Sequence, residues 1–240
     1  MNIITRIAGA IALVSITSPV AAMELNGGDF NVNYSWFDQK VGDETVDTFS
    51  FDGAVEVGFN QNFAAQLDLG RYSFGLLDER GTNIALHGIY HLNEATALGA
   101  FYGADDILSD STDFYGVEAA YNTDQYEVEA YFGTGEDSGV DGNVYGVLGA
   151  YGVTEGIAVT GSLERADIDG GFEYSKYAIG VRFSASPQAA LTASIGSAEA
   201  EAGSLSGSET FFSIGAEFKF GQKAGATFGR RGLLKLIPGL

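Results

Sequence analysis

Two histidines, His87 and His91, stand four residues apart, and paired imidazoles are a natural place to look for a metal ligand or a base. On a β-strand this spacing puts both on one face, about 13 Å apart, which is too far for them to share an ion. The pair is therefore read as solvated, and neither a metal site nor a cofactor follows from it. Nucleophilic catalysis would need Ser, Thr or Cys beside such a base. No His-x-Ser pair occurs, neither histidine has a serine within two residues, and the chain lacks cysteine. The reading is of a protein that is not an enzyme, with a lipid-modifying enzyme that pairs His and Ser across strands as the alternative.

The carboxylate pairs Glu127/Glu129 and Asp105/Asp106 suggest acid–base work or calcium binding, but none has the Asp-x-Asp-x-Asp-Gly spacing of a calcium loop. The nearest approach is Asp137-Ser138-Gly139-Val140-Asp141-Gly142-Asn143. Glu127 and Glu129 are read instead as a solvated pair. The glycine-rich stretches precede no helix and contain no Gly-Lys-Ser/Thr, so they are turn and strand glycines and not phosphate loops.

What remains is bulk charge. Residues 23–220 hold all 32 Asp and Glu but only seven of the 12 Lys and Arg, a net of −25, whereas residues 221–240 carry four cations and no acid. Such acidity excludes a nucleic-acid partner, whose phosphates it would repel. The absence of cysteine also excludes a disulfide scaffold, so stability must come from size, a closed hydrogen-bond network or a membrane.

The elements that position these charges are strands. Phe212, Ile214, Ala216, Phe218 and Phe220 alternate with Ser213, Gly215, Glu217 and Lys219, and a strand with one apolar and one charged face separates two environments. Phe49, Phe51, Val55, Val57 and Phe59 pass the same test against Ser50, Asp52, Ala54, Glu56 and Gly58, and so does the run over 176–183. Applied along the chain, the test gives twelve strands near 28–37, 48–59, 63–73, 82–92, 96–104, 113–121, 125–134, 142–152, 156–165, 172–184, 188–198 and 209–220. Ten or fourteen strands are alternatives, because 142–152 and 188–198 fit the alternation poorly.

Five connections are tight, and six longer ones holding most of the acids fall between them. That sorting predicts an antiparallel up-and-down transmembrane β-barrel with one strongly negative rim. Aromatics gather near the strand ends as two interfacial girdles, Trp36, Phe37, Phe49, Tyr72, Phe74, Tyr102, Phe114, Tyr115, Phe132, Phe172 and Phe211 at one end and Phe59, Phe63, Tyr90, Tyr121, Tyr126, Tyr151, Phe183, Phe218 and Phe220 at the other. A soluble β-sandwich, which also alternates, explains neither the girdles nor the sorting of the loops.

By parity, Glu56, Asp68, Glu118, Glu127, Glu129, Glu164 and Glu217 line the lumen, as do Lys176, Arg182 and Lys219 in a narrower basic sector. His87 and His91 share that lumenal side. Two readings stand: a narrow pore whose acids favour cations, and a barrel packed shut by internal salt bridges. The tail, 221–240, with Arg230-Arg231-Gly232-Leu233-Leu234-Lys235, is expected to fold back as a partial plug, to lie on the membrane surface, or to be a disordered terminus.

Residues 1–22, with Arg6, an apolar core over 7–14 and Val20-Ala21-Ala22, have the layout of a signal helix removed after Ala22. Together with the alternating hairpins, the acidic loops and the final strand Phe211–Phe220, they make the chain resemble Gram-negative outer-membrane barrels of the porin-like type. The resemblance implies residence in the bacterial outer membrane among its lipid and lipopolysaccharide. It also implies recognition of the last strand by the barrel-assembly machinery and passive diffusion of small hydrophilic solutes. The twenty residues after Phe220 depart from that pattern, since most such chains end at the aromatic. A structural or adhesive barrel with a packed lumen is the alternative.

Overall fold

A computed structural model describes residues 23–42, 44–75, 79–107, 110–137, 140–222 and 225–238. The segment expected to be a signal helix, residues 1–22, lies outside them. The described chain forms β1 (Glu24–Val41), β2 (Glu44–Gly58), β3 (Phe63–Phe74), β4 (Glu79–His91), β5 (Thr96–Ile107), β6 (Asp110–Asn122), β7 (Tyr126–Asp137), β8 (Val140–Thr154), β9 (Ile157–Ile168), β10 (Phe172–Ser184), β11 (Ala189–Ala202) and β12 (Leu205–Phe220). Each strand pairs antiparallel with its sequence neighbours. β1 also pairs with β12, from Gly28 against Phe220 to Phe37 against Phe211, which closes the barrel. Closure leaves no open edge, and this is the condition under which a sheet can sit in hydrocarbon with its backbone groups paired.

All twelve strands form where alternation places them, including the two that fit poorly. In β8, Val144 and Leu148 face inward and Val147 faces out. In β11 the outward residues are Leu191 and Ile195, while Thr192 and Ser194 face the lumen. The outer surface is apolar, and Ile179 at its middle is 68% exposed.

Two expectations are corrected. The six connections at the acidic end are not long loops, because the strands run past the apolar band and leave two to four residues between them, as at 42–43, 108–109 and 203–204. Ladder bonding continues there with polar residues on both faces, so alternation gives no sign of it. Asp47, Asp106, Asp113, Glu136, Asp141, Glu199 and Glu209, for example, ride on strands rather than loops.

The second correction concerns the girdles. Tyr72, Phe74, Phe114 and Phe211 are buried inside the barrel, and Phe37 meets Phe211 edge-on from the same side. Tyr72 packs with Phe74 and Leu234 in one lumenal cluster, and Phe114 with Phe101 and Tyr131 in a second. Neighbouring strands make room for them with glycine: a Cβ on Gly146 would stand 2.5 Å from the Tyr131 ring, and one on Gly103 the same distance from Phe114. Clustering at strand ends suggested a girdle, but side-chain parity sends these rings inward.

Candidate functional site

The chain does not stop at the barrel wall. After Phe220, Gly221 and Gly225 take φ of 86° and 128°, backbone conformations open to glycine. The tail turns back into the lumen and climbs it to Pro238, whose carbonyl accepts a hydrogen bond from Ser35. Of the three expectations for the tail, folding back into the lumen is the one that the described residues 225–238 match. Its one regular piece is a 3₁₀ turn, Leu234–Leu236.

Apolar contacts hold both ends of this segment. Phe228 is buried among Ala64, Ile89, Ala97 and Ala120 and stacks on His87, while Leu234 packs on Tyr72 and Phe74. Between and beside them the wall bonds the tail's main chain. Glu56 accepts from the Thr227 N–H at 2.9 Å, Gln66 from Phe228 at 3.1 Å, Glu129 from Gly229 at 3.0 Å and Asp105 from Leu233 at 2.5 Å. Donors reach its carbonyls: Gln66 Nε2 to Phe228 at 2.7 Å, Asn83 Nδ2 to Arg231 at 2.8 Å, Tyr174 to Leu236 at 3.0 Å and Lys176 to Lys235 at 3.1 Å.

Three tail cations find carboxylates. Arg230 pairs with Asp29 at 2.5 Å and Asp52 at 2.9 Å. Arg231, 1% exposed, pairs with Glu118 at 2.8 Å and with Glu129. Its guanidinium also lies over the Tyr131 ring, 4.3 Å from the centroid, and near Phe101. Lys235 reaches Glu164 at 2.7 Å and also lies over the Tyr131 ring, 4.9 Å from its centroid. Tyr131 itself donates to Glu164 at 2.8 Å. Burial works against the Arg231 charge, but Glu129 and Glu118 overcome it and hold the group above its ordinary value. For Lys235 burial prevails over Glu164 and pulls the ammonium below its ordinary value.

The ten residues expected to line a pore divide accordingly. All are lumenal, but Glu56, Asp68 and Glu118 are buried, covered where the tail packs on the wall. Glu164 and Lys176 pair at 2.8 Å beside a cavity of about 250 Å³. Glu127, Glu129, Arg182, Glu217 and Lys219 border a cavity of about 510 Å³ at the short-turn end, beside Asn122 and Thr123. There Arg182 pairs with Glu127 at 2.8 Å, and Lys219 with Glu217 at 3.4 Å. Glu127 and Glu129 are thus partnered, not a merely solvated pair, because each has a basic group opposite that sequence spacing does not reveal.

The histidines need the same correction. His87 is fully buried, with Glu118 2.7 Å from Nδ1 and Asp68 2.9 Å from Nε2. His91 lies 3.5 Å from Glu56. Both partners of His87 are carboxylates, so the geometry ties the ring into an ionic network and offers no nucleophile to activate.

The opposite side of the lumen differs. The two cavities share Leu148, Ser162, Ala178 and Ser194 in their walls, so they adjoin along β8–β11 beside the tail. A third cavity, of about 360 Å³, opens near the acidic end between Leu233 and Phe114, Val144 and Ile168.

No protein-family model matches the sequence, and no curated protein matches it. In fold the chain is similar to outer-membrane porins of known structure. A KdgM porin superposes with a TM-score of 0.56 at 10% identity, covering 80% of this chain and 99% of the other. A NanC porin gives 0.57 at 10% identity, covering 80% and 100%. The COG4313 outer membrane channel from Pseudomonas putida F1 gives 0.55 at 14% identity, covering 85% and 97%.

Proposed function

We propose that the chain is an outer-membrane channel of the porin-like type, passing small hydrophilic solutes with a preference for cations, and that its own C-terminal segment narrows the lumen. The observation that carries this reading is the division of the lumen. Tail residues 225–238 bind the acidic and aromatic wall, while small residues on the facing wall border two adjoining cavities. The polar interior, the closed barrel and the likeness in fold to porins support a pore. The negative rim supports cation preference, since it concentrates counter-ions at the mouth. On this reading the outer surface meets outer-membrane lipid and lipopolysaccharide, and β12 is the strand presented to the barrel-assembly machinery.

The experiment is a reversal-potential measurement on the purified protein in a planar bilayer under a potassium chloride gradient. A potential of the sign set by potassium is expected. Anion preference would remove the role given to the acids. A structural barrel with a packed lumen is the second reading, favoured by the buried His87–Glu118–Arg231 network, and a lumen that never conducts would select it.

A further inference from the structure

The contacts between wall and tail exceed what a plug of opposite charge needs. Neutralising an acidic lumen takes cations near carboxylates, yet here the wall also bonds the main chain on both sides. Acceptors meet the N–H groups of Thr227, Phe228, Gly229 and Leu233. Donors meet the carbonyls of Phe228, Arg231, Lys235 and Leu236. Gln66 does both for a single residue, accepting from the N–H of Phe228 and donating to its carbonyl, a pairing that recognises a peptide unit whatever its side chain.

The side-chain seats are specific in a second way. Tyr131 stands near both Arg231 and Lys235 at cation–π distance and is itself bonded to Glu164, so one ring serves two cation sites four residues apart along the chain. Aromatic faces against guanidinium and ammonium groups favour organic cations over hydrated metal ions. A buried apolar seat then takes Phe228 two residues before Arg230.

From these contacts we infer that the acidic wall is a binding site for basic peptides, and that the C-terminal tail occupies it as a tethered stand-in for such a peptide. The inference rests on the reading of the barrel as a channel and names the solute class that its wall selects: short peptides carrying paired Arg with a Lys four residues beyond. A peptide of this kind gains charge-assisted bonds, each stronger than a neutral one, and meets a wall already arranged for its backbone. To enter it must displace the tail, so effective concentration protects the site against weak competitors.

The test uses the full chain with a protease site inserted between Gln222 and Gly225, cut after folding so that the barrel forms with its tail attached. A fluorescent peptide with the sequence of residues 225–238 is then added. It should bind the cut protein and not the uncut one. An unrelated peptide that keeps Arg-Arg and Lys at the same spacing should displace it, while its Gln-substituted counterpart should be at least about tenfold weaker, as loss of one or more charge-assisted bonds requires. Glu129→Gln in the barrel should weaken the basic peptide by a larger factor than the Gln-substituted one, which keeps only the main-chain bond to this side chain.

Displacement by spermidine as effective as by the basic peptide would overturn the assignment to peptides. So would competition restricted to the tail's own sequence, or equal binding of the Gln-substituted peptide. Potassium conductance through the same cut protein separates this inference from the channel reading. Conductance without peptide binding defeats the inference alone, and peptide binding without conductance defeats the channel alone.

Discussion

The two sides of the lumen are built on different terms. From β1 to β6 a set of polar and charged inward residues is buried: Asp29, Glu56, Gln66, Asp68, His87 and Glu118 are all covered, and the tail packs over them. From β8 to β11 the inward residues at mid-height are Leu148, Ser162, Ala178 and Ser194, half-buried and bordering space. A barrel of about twelve strands has more interior than its side chains can fill. This chain fills half of it with its own terminus and leaves the half lined by small residues open. On the proposed reading the buried ionic side fixes structure, and the side with the small residues, flanked by Glu164, Lys176 and Arg182, provides the passage.

The comparison breaks most sharply at Glu118, which bridges His87 and Arg231. Glu118→Leu leaves two buried cations short of a partner, and a loss of about 3–5 kcal/mol is expected from such a deletion, read as denaturant unfolding in micelles. Next comes Tyr131→Leu, which removes the ring beside two tail cations and the bond to Glu164. A loss of about 1–3 kcal/mol is expected, concentrated in the tail and seen as faster amide exchange over residues 229–235.

On the open side the expectation reverses. Ala178→Trp enters existing space and should change stability by less than about 1 kcal/mol, yet it should cut conductance severalfold; unchanged current would place the passage elsewhere. Smallest of all is Arg165→Gln, which removes pairs with Asp167 and Glu173 that stand a third or more exposed. Such surface pairs contribute little to stability, and neither unfolding nor conductance should move measurably.

The strands were legible because lipid imposes a strict test on one residue in two, and even Ala-, Ser- and Thr-rich β11 passes it through Leu191 and Ile195. Beyond the bilayer that test lapses, which is why the strand extensions carrying Asp106 and Glu199 looked like loops. The lumenal identity of Glu56, Asp68 and Glu118 also followed from parity. Their state did not, since burial depends on what lies across the lumen, and the tail that covers them is more than a hundred residues away in sequence. The signal that pointed to it was the charge balance, four cations after Phe220 against a net of −25 over residues 23–220. Phe101, Phe114 and Tyr131 were harder to place, because an inward aromatic needs a facing glycine, and that pairing depends on register between strands.

The central claim is that the tail and the small-residue wall share one lumen, so that the tail sets the width of the passage. Single-channel recording of the protein cut between Gln222 and Gly225, before and after the released segment is washed away, tests it most directly. A low conductance that rises severalfold on removal, with cation preference retained or strengthened as the wall carboxylates are uncovered, is the predicted result. Identical conductance before and after removal would contradict it.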